Sequence, residues 1–84
     1  MTEETKAAEV ERLRALADSL DCLTEQDFQL LTGATTGTIE AWRKRRQGPD
    51  YIRLGNNYFY PRPAIAEHMR KLTRERHSLG KALL

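Results

Sequence analysis

Four consecutive cations, Arg43-Lys44-Arg45-Arg46, are the strongest chemical feature of the sequence. A helix C-terminus attracts cations through its dipole, but four in succession exceed that need. The run suits contact with a polyanion, because phosphate contacts dominate nucleic-acid affinity. Other reactive residue types are sparse. Cys22 is the single cysteine, so no intrachain disulfide is expected, and a metal site needs several ligands at close spacing. It reads as a small buried or half-buried residue. His68 and His77 stand nine positions apart without a nearby cysteine or acidic cluster. Both read as surface or edge positions of a last helix. Nothing matches a phosphate loop or a nucleophile with its base. The expectation is a binding protein rather than an enzyme, with no metal and no cofactor.

Charge is divided along the chain. Residues 1–30 carry three Lys and Arg against eight Asp and Glu, a net of −5. Residues 31–84 carry eleven against four, a net of +7. A basic C-terminal two-thirds behind an acidic start favours a polyanion partner for the basic part. With 84 residues the chain holds one domain at most, with extensions. No apolar run approaches the roughly 18 residues that cross a membrane. Met1 to Glu11 is polar and acidic, unlike a signal peptide. A cytoplasmic location, with no membrane partner, is the default expectation.

The elements that must hold the cations follow from periodicity and caps. Glu3 to Leu20 predicts one helix, with Val10, Leu13, Ala17 and Leu20 as its apolar stripe. That stripe suits packing on the rest of the domain or on a second copy. Asp21 and Cys22 break the pattern. Thr24 then caps a short helix, which Gly33 ends in a left-handed conformation. Thr35 caps the next helix, where Ile39, Trp42 and Arg46 share one side. Thr36, Gly37, Glu40, Ala41 and Lys44 share the other. Gly48-Pro49 is the expected stop. Trp42 reads as a core anchor.

Tyr51-Ile52-Arg53-Leu54 and Tyr58-Phe59-Tyr60 predict two strands, joined at Gly55-Asn56-Asn57. Phe59 is expected to face opposite to the two tyrosines. Pro61-Arg62-Pro63 starts a last helix, whose apolar side is Ile65, Met69 and Leu72. Residues 73–84 extend it or form a basic tail. The predicted class is mostly α with a small β-hairpin. Residues 1–21 form an N-terminal amphipathic helix, 22–72 the binding domain and 73–84 the extension.

Two short helices joined by a Gly-containing turn make a helix-turn-helix candidate. Small groups at Thr36, Gly37 and Ala41 keep the second helix slim enough for a major groove about 12 Å wide. From Leu23 to Leu72 the chain resembles the winged helix-turn-helix of phage excisionases and MerR-like modules. The matching pieces are Leu23-Thr24, Leu31-Thr32-Gly33-Ala34-Thr35, Thr38-Ile39-Glu40-Ala41-Trp42, Ile52-Arg53-Leu54-Gly55 and Tyr60-Pro61-Arg62.

The resemblance implies a winged helix-turn-helix with an extra N-terminal helix. It implies double-stranded DNA as the partner, in a bacterial or phage-infected cell. Thr36, Gly37, Glu40, Ala41 and Lys44 would then face base edges. Thr35, Thr38, Arg43, Arg45, Arg46 and Arg53 would hold phosphates, and Asn56 and Asn57 would form the wing tip. Two positions depart from the family. Asn57 stands where a basic wing tip is common, and Thr36, Gly37 and Ala41 stand where larger polar groups are common.

The expected activity is that of an excisionase, a recombination directionality factor that binds and bends DNA at a recombination site. Its further partners would be an integrase or itself, as a dimer or a head-to-tail filament on DNA. The alternatives are a small transcriptional regulator binding a promoter as a dimer, or a phage DNA-packaging module like a terminase small subunit.

Overall fold

Seven elements follow one another in the order α-β-α-α-β-β-α in the computed structural model, which describes residues 3–83, with side chains over 6–74. An Ala-, Glu- and Arg-rich segment without Gly or Pro forms α1 (Glu3–Ser19). Asp21 then takes a left-handed conformation, φ 59°, and the chain turns into a strand that the sequence pattern did not suggest, β1 (Cys22–Thr24). Three residues are too few to carry a period of two. The strand exists because it pairs with a later one, not because of its own propensity.

Three caps fall where sequence placed them. In α2 (Glu25–Thr32) the Thr24 hydroxyl accepts from the Asp27 amide at 3.2 Å. Gly33 closes the helix at φ 72°, donating its N–H to the Gln29 carbonyl at 2.7 Å. In α3 (Thr36–Arg45) the Thr35 hydroxyl accepts from the Thr38 amide at 3.2 Å. The expected stop at Gly48-Pro49 is corrected. Arg46 already leaves the helix in a left-handed conformation, φ 55°, with its N–H directed to the Arg43 and Trp42 carbonyls. The Gln47 N–H also bonds the Trp42 carbonyl, at 2.9 Å, so the orphan carbonyls are met before the glycine is reached.

The remaining strands are β2 (Ile52–Leu54) and β3 (Asn57–Pro61). Their turn holds only Gly55 and Asn56. Gly55 has φ 65°, the positive value a two-residue hairpin needs at its first position. Asn57, expected at the tip, instead pairs with Leu54 inside the ladder. The sheet is antiparallel with strand order β1-β3-β2. Leu23 lies opposite Tyr60, and Arg53 opposite Tyr58. The last helix, α4 (Arg62–Leu83), continues through residues 73–83 as a helix. The side chains of residues 75–84, His77 included, lie outside the described residues.

The core is small and aromatic. Phe28, Ile39, Tyr60 and Ile65 are buried, and Leu23, Ala34, Trp42 and Tyr58 pack around them. Phe28 stacks on Tyr60 at 4.1 Å between centroids and meets Trp42 edge-on at 6.4 Å. Helix α1 is attached through the buried Ala17 and through ion pairs. Arg14 meets Asp27 at 3.0 Å, and Arg62 pairs with Asp18 and Asp21. Leu20, expected within the packed stripe, is exposed, as is Leu16.

The expected apolar side of α4 is likewise covered only at its start. Ile65 is buried, whereas Met69 and Leu72 are exposed, because the helix runs on past the core. Among the described residues no helix is long and apolar enough to cross a membrane. The molecule is thus mostly helical, with four helices and a three-stranded antiparallel sheet.

Candidate nucleic-acid interface

Helix α3 presents a narrow outer face. Thr36, Gly37, Glu40 and Lys44 are exposed and Ala41 is half-buried. Gly37, Glu40, Ala41 and Lys44 follow the three-and-four spacing of one helix side. The threonines at its start are partly engaged within the chain. Thr36 Oγ1 accepts from Gln29 Nε2 at 2.6 Å, which ties α3 to α2. The Thr35 and Thr38 hydroxyls share a hydrogen bond at 2.9 Å. The Thr38 amide goes to the Thr35 hydroxyl and the Ile39 amide to the Thr35 carbonyl. The Thr36 and Gly37 amides then stand at the positive end of α3, in the position where helices meet anions.

Three of the four consecutive cations are outward. Lys44, Arg45 and Arg46 are exposed. The left-handed turn at Arg46 swings that residue off the helix axis. Arg53 is exposed on β2, beside the Tyr58 ring, with its guanidinium carbon 5.8 Å from the ring centroid. Asn56 and Asn57 are exposed at the end of the hairpin.

Arg43 is the correction. Expected among the phosphate-holding residues, it is turned inward, and its side chain is only 10% exposed. Its Nη1 donates to Glu25 Oε2 at 2.8 Å, to Oε1 at 3.1 Å and to the Tyr60 hydroxyl at 2.8 Å. The Tyr60 hydroxyl in turn donates to Glu25 Oε1 at 2.9 Å. The guanidinium carbon lies 3.7 Å from the Tyr58 ring centroid, a cation–π geometry. Helical spacing explains the turn inward. Position 43 follows Trp42 and lies four residues after Ile39, so it borders the buried side of α3.

Burial works against the Arg43 charge, but the Tyr60 hydroxyl and Glu25 outweigh it and hold the guanidinium above its ordinary value. Burial also pushes the Tyr60 hydroxyl up to about 12, and its hydrogen bond to Glu25 adds to the rise against the opposing pull of Arg43. The unfolded chain releases that proton near pH 10. The folded state keeps it longer, so the stability it contributes is complete below pH 10 and is lost as pH rises to about 12. Thermal unfolding followed across that window is expected to show a loss on the order of 2 kcal/mol. Tyr60→Phe is expected to remove that pH dependence.

Two aromatic residues join the face without a strong sequence signal. Tyr51 and Tyr58, with Glu40, Arg43 and Lys44, line a notch of about 190 Å³ between α3 and the hairpin. Tyr51 meets Tyr58 edge-on at 5.7 Å. Only the pairing register, which sets Tyr58 opposite Arg53, brings these groups beside α3. Chemically, the surface offers four outward cations, one carboxylate and two phenols around a slim helix. Compared with family models, curated proteins and solved structures, the chain matches none.

Proposed function

We propose that this chain is a sequence-specific DNA-binding protein and not an enzyme. In this reading α2 and α3 act as a helix-turn-helix, with α3 in the major groove and the β2–β3 hairpin as a wing. One observation carries it: Lys44, Arg45, Arg46 and Arg53 are all exposed around a helix whose outer face is small. Phosphate contacts from those four positions supply affinity. Glu40, which can accept from cytosine N4, is the side chain that supplies direct base contact. Few base contacts leave room for shape and deformability to set specificity.

The activity most in keeping with this interface and with the excisionase resemblance is binding and bending of a recombination site, with an integrase as partner. A promoter-binding dimer is the second reading. It is favoured by the exposed Leu16, Leu20, Met69 and Leu72, which offer apolar surface for a second copy. Nuclease footprinting on the DNA flanking the gene separates the two. Protection at a recombination site is expected, and protection at a promoter instead favours the dimeric regulator. Absence of any protected segment would refute sequence-specific binding.

A further inference from the structure

Arg43 occupies a place that a stability role alone does not explain. A paired cation taken out of water costs desolvation, and apolar residues of similar volume often serve stability as well or better. What the arginine adds is direction. Its partners come from the first residue of α2, Glu25, and from two residues of β3, Tyr58 and Tyr60. Among the described residues it is the side chain that hydrogen-bonds α3 to the hairpin. The guanidinium is planar. Its Nη1 meets both Glu25 oxygens and the Tyr60 hydroxyl while its guanidinium carbon lies over the Tyr58 ring, so the group is held at one corner and across one face. Tyr58 also lies beside Arg53, its cross-strand partner. A chain of contacts thus runs from α3 through Arg43 and Tyr58 to the outward cation of the hairpin.

We infer that Arg43 is a positioning residue that touches no phosphate. It sets α3 and the β2–β3 hairpin at the spacing where Lys44, Arg45, Arg46 and Arg53 engage one duplex together. Glu25 and Tyr60 anchor it. This inference rests on the DNA-binding reading above.

Lysine separates the two roles. It keeps the charge that a phosphate contact needs, but has no planar face to lay over the Tyr58 ring. The test compares wild type, Arg43→Lys, Arg43→Met, Arg53→Ala and Arg43→Lys with Arg53→Ala. Each is titrated by fluorescence anisotropy with a labelled mixed-sequence duplex at several salt concentrations. Near-UV circular dichroism confirms that each is folded. Tyr60→Phe, which deletes one hydroxyl from the network, is the milder variant if the Arg43 changes unfold the chain.

Positioning predicts that Arg43→Lys and Arg43→Met both lose about tenfold in affinity and flatten the salt slope by about 0.9, since the displaced hairpin takes the Arg53 contact off the duplex. It also predicts that Arg53→Ala, costly in the wild type, costs less than about twofold in the Arg43→Lys background, because the two residues then no longer act together. A loss confined to folding stability would not produce that coupling. Tyr60→Phe is expected to lower affinity and flatten the slope in the same direction, by a smaller amount. Wild-type binding by Arg43→Lys, with a slope reduced by about 0.9 in Arg43→Met, would overturn the inference and make Arg43 a phosphate contact. Equal costs of Arg53→Ala in both backgrounds would also overturn it. If the wild-type chain itself failed to bind any duplex, the DNA-binding reading would fall instead.

Discussion

Replacing Arg45 and Arg46 together with alanine is expected to weaken DNA binding strongly at low salt and progressively less as salt rises. Each phosphate contact releases condensed counterions, contributing about −0.9 to the slope of log affinity against log salt. Removing two contacts flattens the slope by about 1.8 units, so the ratio of wild-type to variant affinity narrows about tenfold between 50 and 200 mM salt. Both side chains are exposed and neither enters an ion pair among the described residues. The fold should therefore survive, which unchanged thermal unfolding would confirm. Unchanged binding at low salt would remove these two arginines from the interface. The contrast with Arg43 is informative, because neighbours of the same charge are assigned opposite duties by the side of the helix they occupy.

Phe28→Ala is expected to have the largest effect on stability. Phe28 is 2% exposed, stacks on Tyr60 and meets the edge of Trp42. Truncating a buried aromatic costs about 3–5 kcal/mol. A chain of 84 residues has a total of roughly 4–13 kcal/mol at the usual value per residue. The variant should be largely unfolded at 37 °C, read as loss of the cooperative transition in chemical denaturation. A cooperative transition within about 1 kcal/mol of wild type would show that the aromatic stack is not the core. Trp42, which its size and its place beside Ile39 on one helix side singled out as the anchor, is only partly buried and packs against this stack from the side. The weight belongs to Phe28, whose single position in a short helix carries no comparable sequence signal.

Local signals were legible wherever a side chain acts on its own backbone. Thr24, Gly33 and Thr35 cap their helices as residue type and spacing indicate, because a hydroxyl or a left-handed glycine does its work within a few residues. Gly55 marks the hairpin for the same reason. Long-range pairing was not legible. β1 depends on β3, nearly forty positions later, and its three residues advertise nothing alone. The inward turn of Arg43 depends on Glu25, which precedes it by 18 positions, and on Tyr60, which follows it by 17. A run of four cations looks uniform in one dimension, but a period of 3.6 residues cannot keep four neighbours on one face. The exposed Met69 and Leu72 show the converse limit, since an apolar stripe says that a face can be covered and not what covers it.

The central claim is that four outward cations on α3 and the hairpin meet DNA phosphates. The most direct measurement is the equilibrium affinity of the wild-type chain for a labelled mixed-sequence duplex across a range of salt concentrations. Contacts from Lys44, Arg45, Arg46 and Arg53 predict a straight line of log affinity against log salt, with a slope of about −3 to −4. No binding at low salt, or binding whose affinity does not change with salt, would contradict it.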